Sequence, residues 1–364
     1  MSRKDNFTKK ITMKKLFKFL KITFFSFLAL IILLFLYFFI SNKLFLGSKN
    51  QENIDYLTQN NVLMNDSING KLFDEDFYKA KVFLLGEIHG YADNQKLDKA
   101  LFQFLNKKIG VKYYIAEMDS LTAKKLNLFL SEKTKDEAKL KEVVQSIGKR
   151  IPQQSSQELF NKWNELYEYN KTLNDSMKIT VIGIDTDFDK NDSKISRDSA
   201  MIVNFQHAVK NLKLENEKFY GLFGFFHVLQ KNVENGKAPF AERLKKSGIA
   251  TKSFVSYTLE SEMYLPKNPQ FPTPPDEKID WINADGPLML VKGINDLKKM
   301  SQQNSVTLFK LDSKNSPYFK SQNLINVKSR VFGENIIPAQ NSTTTDYFQY
   351  VFLLRNSKAL TKLN

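Results

Sequence analysis

The 364-residue chain contains no cysteine. Disulfide frameworks, thiolate zinc sites and cysteine nucleophiles are therefore excluded. No serine stands in a G-x-S-x-G elbow, so a hydrolase built on this sequence does not use that nucleophile. A Walker A loop and a G-x-G-x-x-G fingerprint are also missing, which argues against nucleotide binding. Histidine is scarce: imidazole chemistry can come only from His89, His207 or His227. No block alternates Lys or Arg with aromatics, and no nucleic-acid partner is expected.

The charge that is present is unevenly spread. Of the formal +15, residues 1–21 supply +7 through eight basic side chains and one acid, and the remaining +8 makes a mildly basic surface. Directly after them, Ile22 to Ile40 runs nineteen residues without charge. That length crosses a hydrocarbon core of roughly 30 Å as a helix. The upstream lysines keep the N-terminus cytoplasmic, so the rest of the chain is expected on the other side. The run exceeds the 7–15 residues of a cleavable signal, and Ser41-Asn42-Lys43-Leu44-Phe45 offers no small-x-small cleavage site. An uncleaved signal anchor is the expectation. The chain then divides into a basic cytoplasmic segment (1–21), a transmembrane anchor (22–42), a polar, Asn-rich tether with one short helix (43–70) and a folded domain (71–364).

From Lys71 onward strand-like and helix-like segments alternate, the pattern of a sheet wrapped by helices. Strands are predicted near 81–86, 111–117, 178–184, 218–224, 250–257, 305–311 and 347–354, and helices near 92–108, 120–130, 135–147, 156–174, 194–213 and 226–246. The expected fold class is α/β: a mainly parallel central sheet flanked by helices, with a helical cap insertion (131–175), preceded by an N-terminal transmembrane helix. Ser155 with Glu158, and Thr134 with Glu137, have capping-box spacing at the starts of the two inserted helices. Residues 263–280 hold five of the ten prolines, Pro266, Pro269, Pro272, Pro274 and Pro275, and predict an extended surface loop.

The chemistry gathers at strand ends. KVFLLGEIHG is a near-continuous apolar run that delivers Glu87 and His89, and Gly90 then lets the chain turn sharply. Side chains two apart on extended backbone share a face, which pairs Glu87 with His89. The second strand ends in Glu117 and Asp119, the third in Asp185 and Asp187, the fourth in His227. In one parallel sheet these ends meet along the edge where such folds place ligands. A histidine beside a carboxylate is a candidate general base for activating water, and the same set could instead ligate Zn²⁺ or Mn²⁺. Arg197 opens a helix whose Met201, Asn204, Phe205 and Ala208 share its face, so it is placed to pair with site carboxylates or with developing negative charge. His207 lies off that face. Phe225, Phe226, Trp163 and Tyr167 suggest an apolar pocket under the cap.

These motifs, in this order, resemble the erythromycin esterase family, within the larger group that includes the ChaN-like haem-binding lipoproteins. GEIHG resembles its Gly-Glu…His-Gly motif, IAEMD its second-strand Glu-x-Asp, and FNKWNELYEYN its Trp-containing helix. VIGID is similar to its Gly-x-Asp strand, RDSAMIVN to its Arg-Asp segment, and GFFHV to its later histidine strand, with Gly224 where that motif typically offers another histidine. The resemblance implies hydrolysis of a small-molecule ester or lactone without a required cofactor: His89 as base, Glu87 and Glu117 orienting or polarising the water, and His227 binding or protonating. Asp93 falls where the family carries an acid. The haem-binding relatives imply the alternative of axial ligation by His89, His227 or Tyr91, and a divalent metal supporting hydrolysis or proteolysis is a third expectation.

Overall fold

The computed structural model describes residues 3–64, 67–187, 195–268, 273–329 and 335–363, with side chains from residue 15 onward. Lys194, the expected start of one helix, and Pro269 and Pro272 of the proline-rich loop lie outside the described residues. The chain divides into two units after Ser48.

The first unit is one helix, Arg3–Leu46. Within Lys15–Leu46 an 18-residue window reaches a mean hydropathy of 2.7, and the stretch is long and apolar enough to cross a membrane. Phe24, Phe27, Leu33 and Phe35 all expose large apolar surface, so the helix shows no polar face on which to sit against a water-filled surface. It runs well beyond both ends of the expected 22–42 span, because the flanking residues, Lys-rich before it and Ser41-Asn42-Lys43 after it, include no proline or glycine to stop it.

The second unit carries an eight-stranded sheet: β1 Asn61–Met64, β2 Val82–Glu87, β3 Tyr113–Ala116, β4 Thr180–Gly183, β5 Phe219–Gly224, β6 Thr251–Leu259, β7 Val306–Lys310 and β8 Tyr350–Arg355. Their spatial order is β1-β7-β8-β6-β2-β5-β3-β4. From β8 through β4 every pairing is parallel; β7 alone runs against its neighbours. Every residue of β2 is buried, as its unbroken apolar run requires of a strand covered on both faces. The register sets Glu87 beside Gly224, and Ala116 beside Gly183, so the strand ends are level. At the open edge, the Asn127 side-chain amide both donates to Val181 O and accepts from Val181 N–H, each at 2.7 Å, satisfying backbone groups that β4 would otherwise leave unpaired.

All seven strands expected from the sequence are present; β1 is an addition. It and the helix Gln51–Gln59 fall in the stretch read as a tether and belong to the folded unit. The polar texture misled because the helix buries an asparagine: Asn53 donates to Asp296 at 2.7 Å, a contact no apolar periodicity announces. A second correction concerns residues 226–246. After β5 the chain makes a short 3-10 turn, Phe225–Val228, and only Phe240–Lys246 is α-helical. Between them Val233 bridges to Pro338, Asn235 turns at φ +56° and Pro239 caps the later helix, none of which a continuous helix allows.

The inserted helices are Glu137–Arg150 and Gln157–Thr172, each capped one or two residues later than the sequence spacing suggests, by Asp136 and Ser156. Val143, Ile147, Leu159, Trp163 and Leu166 bury against the central core, so the pair forms part of one layer flanking the sheet. The turn between them brings Gln153 and Gln154 to the strand ends, and Ile147, Leu159, Lys162 and Trp163 of the helices line a small cavity against Glu87 and Glu117. Residues 357–363 fasten this region from the other side of the sequence: Leu360 N–H donates to Gly90 O, Ala92 N–H to Lys358 O, Gln157 N–H to Thr361 O and Leu363 N–H to Ser155 O, at 2.8–3.0 Å.

Gly90 makes the turn after β2 with φ +107°. A Cβ there would stand 2.6 Å from Met263 Cγ and 2.8 Å from Tyr264 O. Gly90→Ala therefore combines left-handed strain with a backbone clash, and a loss of about 1–3 kcal/mol is expected in denaturant unfolding. Unchanged stability would show that the turn is made differently.

Candidate active site

Glu87, the last residue of β2, is buried, and its Oε1 accepts from His89 Nδ1 at 3.0 Å. The Gln154 amide, from the turn between the inserted helices, donates to the same oxygen and is itself held by Gln95 Nε2 at 3.1 Å. Glu117, just past β3, accepts the Gly224 N–H at 2.7 Å on Oε2 and faces Arg197 at 2.7 Å on Oε1. Arg197 begins the helix Arg197–Asn211, where the Ser196 cap fixes its backbone, and its Nε donates to both oxygens of Asp185 at 2.9 and 3.0 Å. His227 Nδ1 donates to Asp198 at 2.7 Å, while its Nε2 lies 3.4 Å from an Arg197 nitrogen and 3.6 Å from Glu117.

Two imidazole–carboxylate pairs, His89–Glu87 and His227–Asp198, thus approach each other across the end of β5. Gly224 leaves the space between them. A methyl on it would lie 3.4 Å from His89 Nε2, 3.6 Å from His227 Cδ2 and 3.8 Å from Glu117 Oε2. Above this floor opens a cavity of about 340 Å³. Its walls are largely apolar, with Phe225, Phe226, Met263, Ile282, Met289 and Ile336 facing the polar floor. Such a concave, apolar pocket with a few convergent polar groups is the usual form of a small-molecule site.

The charges bias one another. Burial alone would push the His89 imidazole down, but the Glu87 hydrogen bond and the charges of Glu87 and Glu117 outweigh it, so His89 titrates above its ordinary 6.5. His227 rises for the same balance of reasons, with Asp198 as its partner. Burial would push Glu117 up; His227, Arg197 and His89 together hold it below the ordinary 4.5. Asp198 is likewise held down against its burial, chiefly by His227. A raised histidine stabilises the fold fully below about pH 6.5 and loses that contribution as pH climbs through its folded value. The depressed carboxylates contribute above their ordinary range and lose it as pH falls through their folded values. His227→Gln should therefore flatten the decline in melting temperature on the alkaline side of pH 6.5. A decline as steep as wild type would mean that His227 is not the group responsible.

The structure brings together Glu87, His89, Glu117, Arg197 and His227, with Asp185 behind Arg197. It places the other candidates elsewhere. Asp93 pairs with Lys96 at 2.9 Å and lines a separate cavity beside Arg355 and Asn356. Asp119 caps the helix Ser120–Ser131 by accepting from Thr122 N–H and Oγ1, both at 2.8 Å. Asp187 is exposed and borders an outer groove with His207. Trp163 and Tyr167 are core residues rather than pocket walls. Tyr91 is fully buried and donates its hydroxyl to Ile282 O, which removes it from ligation. Among the described residues no group of three or more His, Asp and Glu side chains is arranged to hold a metal ion.

Sequence reasoning passed over Gln154 and Asp198. Asp198 follows Arg197 in the first turn of its helix, where an acid is explained by the helix dipole alone. Gln154 carries no signal, since its role depends on a turn returning to β2.

No protein-family model matches the chain, and no curated protein sequence matches it. Solved structures place the domain in the erythromycin esterase-like fold class. An EreC erythromycin esterase mutant in its open conformation aligns at TM-score 0.57 and 10% identity, over 80% of this chain and 93% of its own. A Bacillus cereus protein aligns at 0.62 and 10%, and a succinoglycan biosynthesis protein at 0.57 and 12%, each alignment covering 87% of this chain and all of the other.

Proposed function

We propose that the chain is a membrane-anchored hydrolase that uses His89 and Glu87 to activate water against an ester or lactone. The observation that carries this reading is the pair of imidazole–carboxylate dyads flanking Gly224 on the floor of an apolar cavity. With its Nδ1–H donated to Glu87, neutral His89 offers Nε2 as the base. Water attacks the carbonyl carbon while His89 takes its proton. The negative charge that develops on the carbonyl oxygen falls beside Arg197, held in place by Asp185 and Glu117. As the carbon–oxygen bond breaks, protonated His227 gives its proton to the leaving alkoxide; His89 then releases the proton it took to solvent and His227 takes one up, which returns both to their starting states. The products are a carboxylic acid and an alcohol. The likeness to the erythromycin esterase fold supports the reaction class, and the cavity's apolar walls support a substrate with a hydrocarbon body.

The test is a panel of esters and lactones of graded size offered to the full-length protein, with acid release followed by pH-stat. Hydrolysis dependent on His89 supports the reading; no turnover across the panel rejects it. The apolar helix behind a basic segment supports an anchor with its N-terminus in the cytoplasm. A reporter active only in the cytoplasm, fused after Leu363, is expected to stay silent, and strong signal would reverse the topology.

A further inference from the structure

A second, small cavity of about 40 Å³ shares Glu87 and Glu117 with the substrate pocket, and Trp163, Lys162, Tyr114 and Gln154 belong to its wall. Two buried polar atoms on the residues lining it lack a hydrogen-bond partner in the protein: Glu87 Oε2 and Trp163 Nε1. Their chemistry is complementary, because an ionised carboxylate only accepts and an indole N–H only donates. Orphaned groups of this kind are rare in folded proteins and are costly when buried.

We propose that the helix Gln157–Thr172 positions Glu87 through one internal water, which accepts from the Trp163 indole N–H and donates to Glu87 Oε2. Size and charge admit this occupant: a water needs only about 10–15 Å³ of water-sized space and two to four polar partners, and the cavity offers the space and the two unpaired atoms. A cation would meet an indole donor and the Lys162 ammonium, and an anion would meet Glu87 and Glu117. Trp163 is suited to the task because its ring is locked. The Lys162 ammonium sits 4.9 Å from the ring centre, Tyr114 packs edge-on at 5.2 Å, and Lys162 is held in turn by buried Asp98 at 2.6 Å. Tyr114 and Tyr220 donate to the same Asp98 at 2.9 and 2.8 Å, closing the network. The water satisfies the outer oxygen of Glu87, which leaves Oε1 aimed at His89 and Gln154. Trp163 is thus a positioning residue: it acts on His89 through the water and Glu87. Its meaning for catalysis rests on the function proposed above; the water itself does not.

The experiment uses full-length protein in detergent micelles labelled with ¹⁵N-tryptophan and ¹⁵N-histidine. Only Trp163 and Trp281 give indole signals, and Trp163→Phe identifies them. A rotating-frame cross-peak between the Trp163 indole proton and water is expected in wild type, and its absence overturns the site. The second readout is the titration of His89, assigned with His89→Gln. The charged groups facing His89 are Glu87, Glu117 and Arg197, with His227 across the pocket, and Trp163→Phe touches none of them directly. Deprived of the water's anchor, the Glu87 carboxylate should hold the proton on the His89–Glu87 pair more firmly, raising the His89 midpoint by about 0.5 pH unit, or about threefold in proton affinity. An unchanged midpoint in a folded variant overturns the positioning role. Should Trp163→Phe fail to fold, the wild-type cross-peak alone decides for or against the water. Neither readout needs a substrate, so a failed ester panel and a failed water site remain distinct results.

Discussion

Replacing His89 by alanine is expected to lower turnover of any ester the protein accepts by about 10²–10⁴-fold, the size of a general-base contribution. Folding should be little affected. The imidazole on the cavity floor has a side chain 23% exposed, so it carries little of the core, whereas its Glu87 partner is wholly enclosed. Glu87 keeps the Gln154 donor when the imidazole is gone. The control is His207→Ala, an exposed residue on the outer side of the Arg197–Asn211 helix, for which no change in rate is expected. Equal rates for the two variants, both folded by circular dichroism, would move the chemistry away from the end of β2. An unfolded His89→Ala would make the residue a structural one.

Arg197→Ala is expected to damage stability as well as rate. The guanidinium is the one cation bonded to both Glu117 and Asp185 among the described residues, and Asp185 has no exposed side-chain surface. Leaving buried carboxylates without their countercharge costs about 3–5 kcal/mol in enclosed pairs. Arg197 is about a quarter exposed, and solvent screening brings the expectation to about 2–4 kcal/mol. The sign with pH follows from Glu117, which Arg197 helps to hold below its ordinary range. In the variant Glu117 binds a proton more readily, so the deficit against wild type should shrink as the solution is acidified toward pH 4. Arg197→Lys retains the charge but loses the fork that spans both Asp185 oxygens, and should recover part of the stability and little of the rate. Urea unfolding at pH 4.5 and 7.5 checks this: a deficit independent of pH would mean that the lost packing of the arginine stem, and not its charge, is responsible.

What could be read in advance was what periodicity and punctuation encode. Apolar runs such as Val82 to Leu85 announce a strand because a doubly covered strand has no polar face to show, and the ionisable residues just beyond them announce the edge of the sheet where the site lies. Arg197 was legible because helical spacing put it on the side of Met201 and Phe205, which are buried. The failures have a common cause, which is contact across long stretches of chain. Asn53 looks like a linker residue until Asp296 is beside it, and Gln154 looks like a loop residue until its turn folds onto Glu87. Asp93 failed in the opposite sense. It lies one turn from the site in sequence, yet the helix that starts at Ala92 carries it to Lys96 and away from the pocket.

The strand-free tail at 357–363 ties the site to a place where proteins are usually free to vary. It holds the turn after β2 through Gly90 and Ala92, and the start of the Gln157–Thr172 helix through Ser155 and Gln157, immediately after the residue that supports Glu87. Both walls of the His89 environment are therefore clipped by the same few residues. A truncation that removed Leu360 and the residues after it would release the clip without touching a single ionisable group of the pocket. A purification handle fused directly after Leu363 would pull on the same clip, and an inactive preparation tagged there would say nothing about the chemistry of the site until an N-terminally tagged one had been assayed beside it.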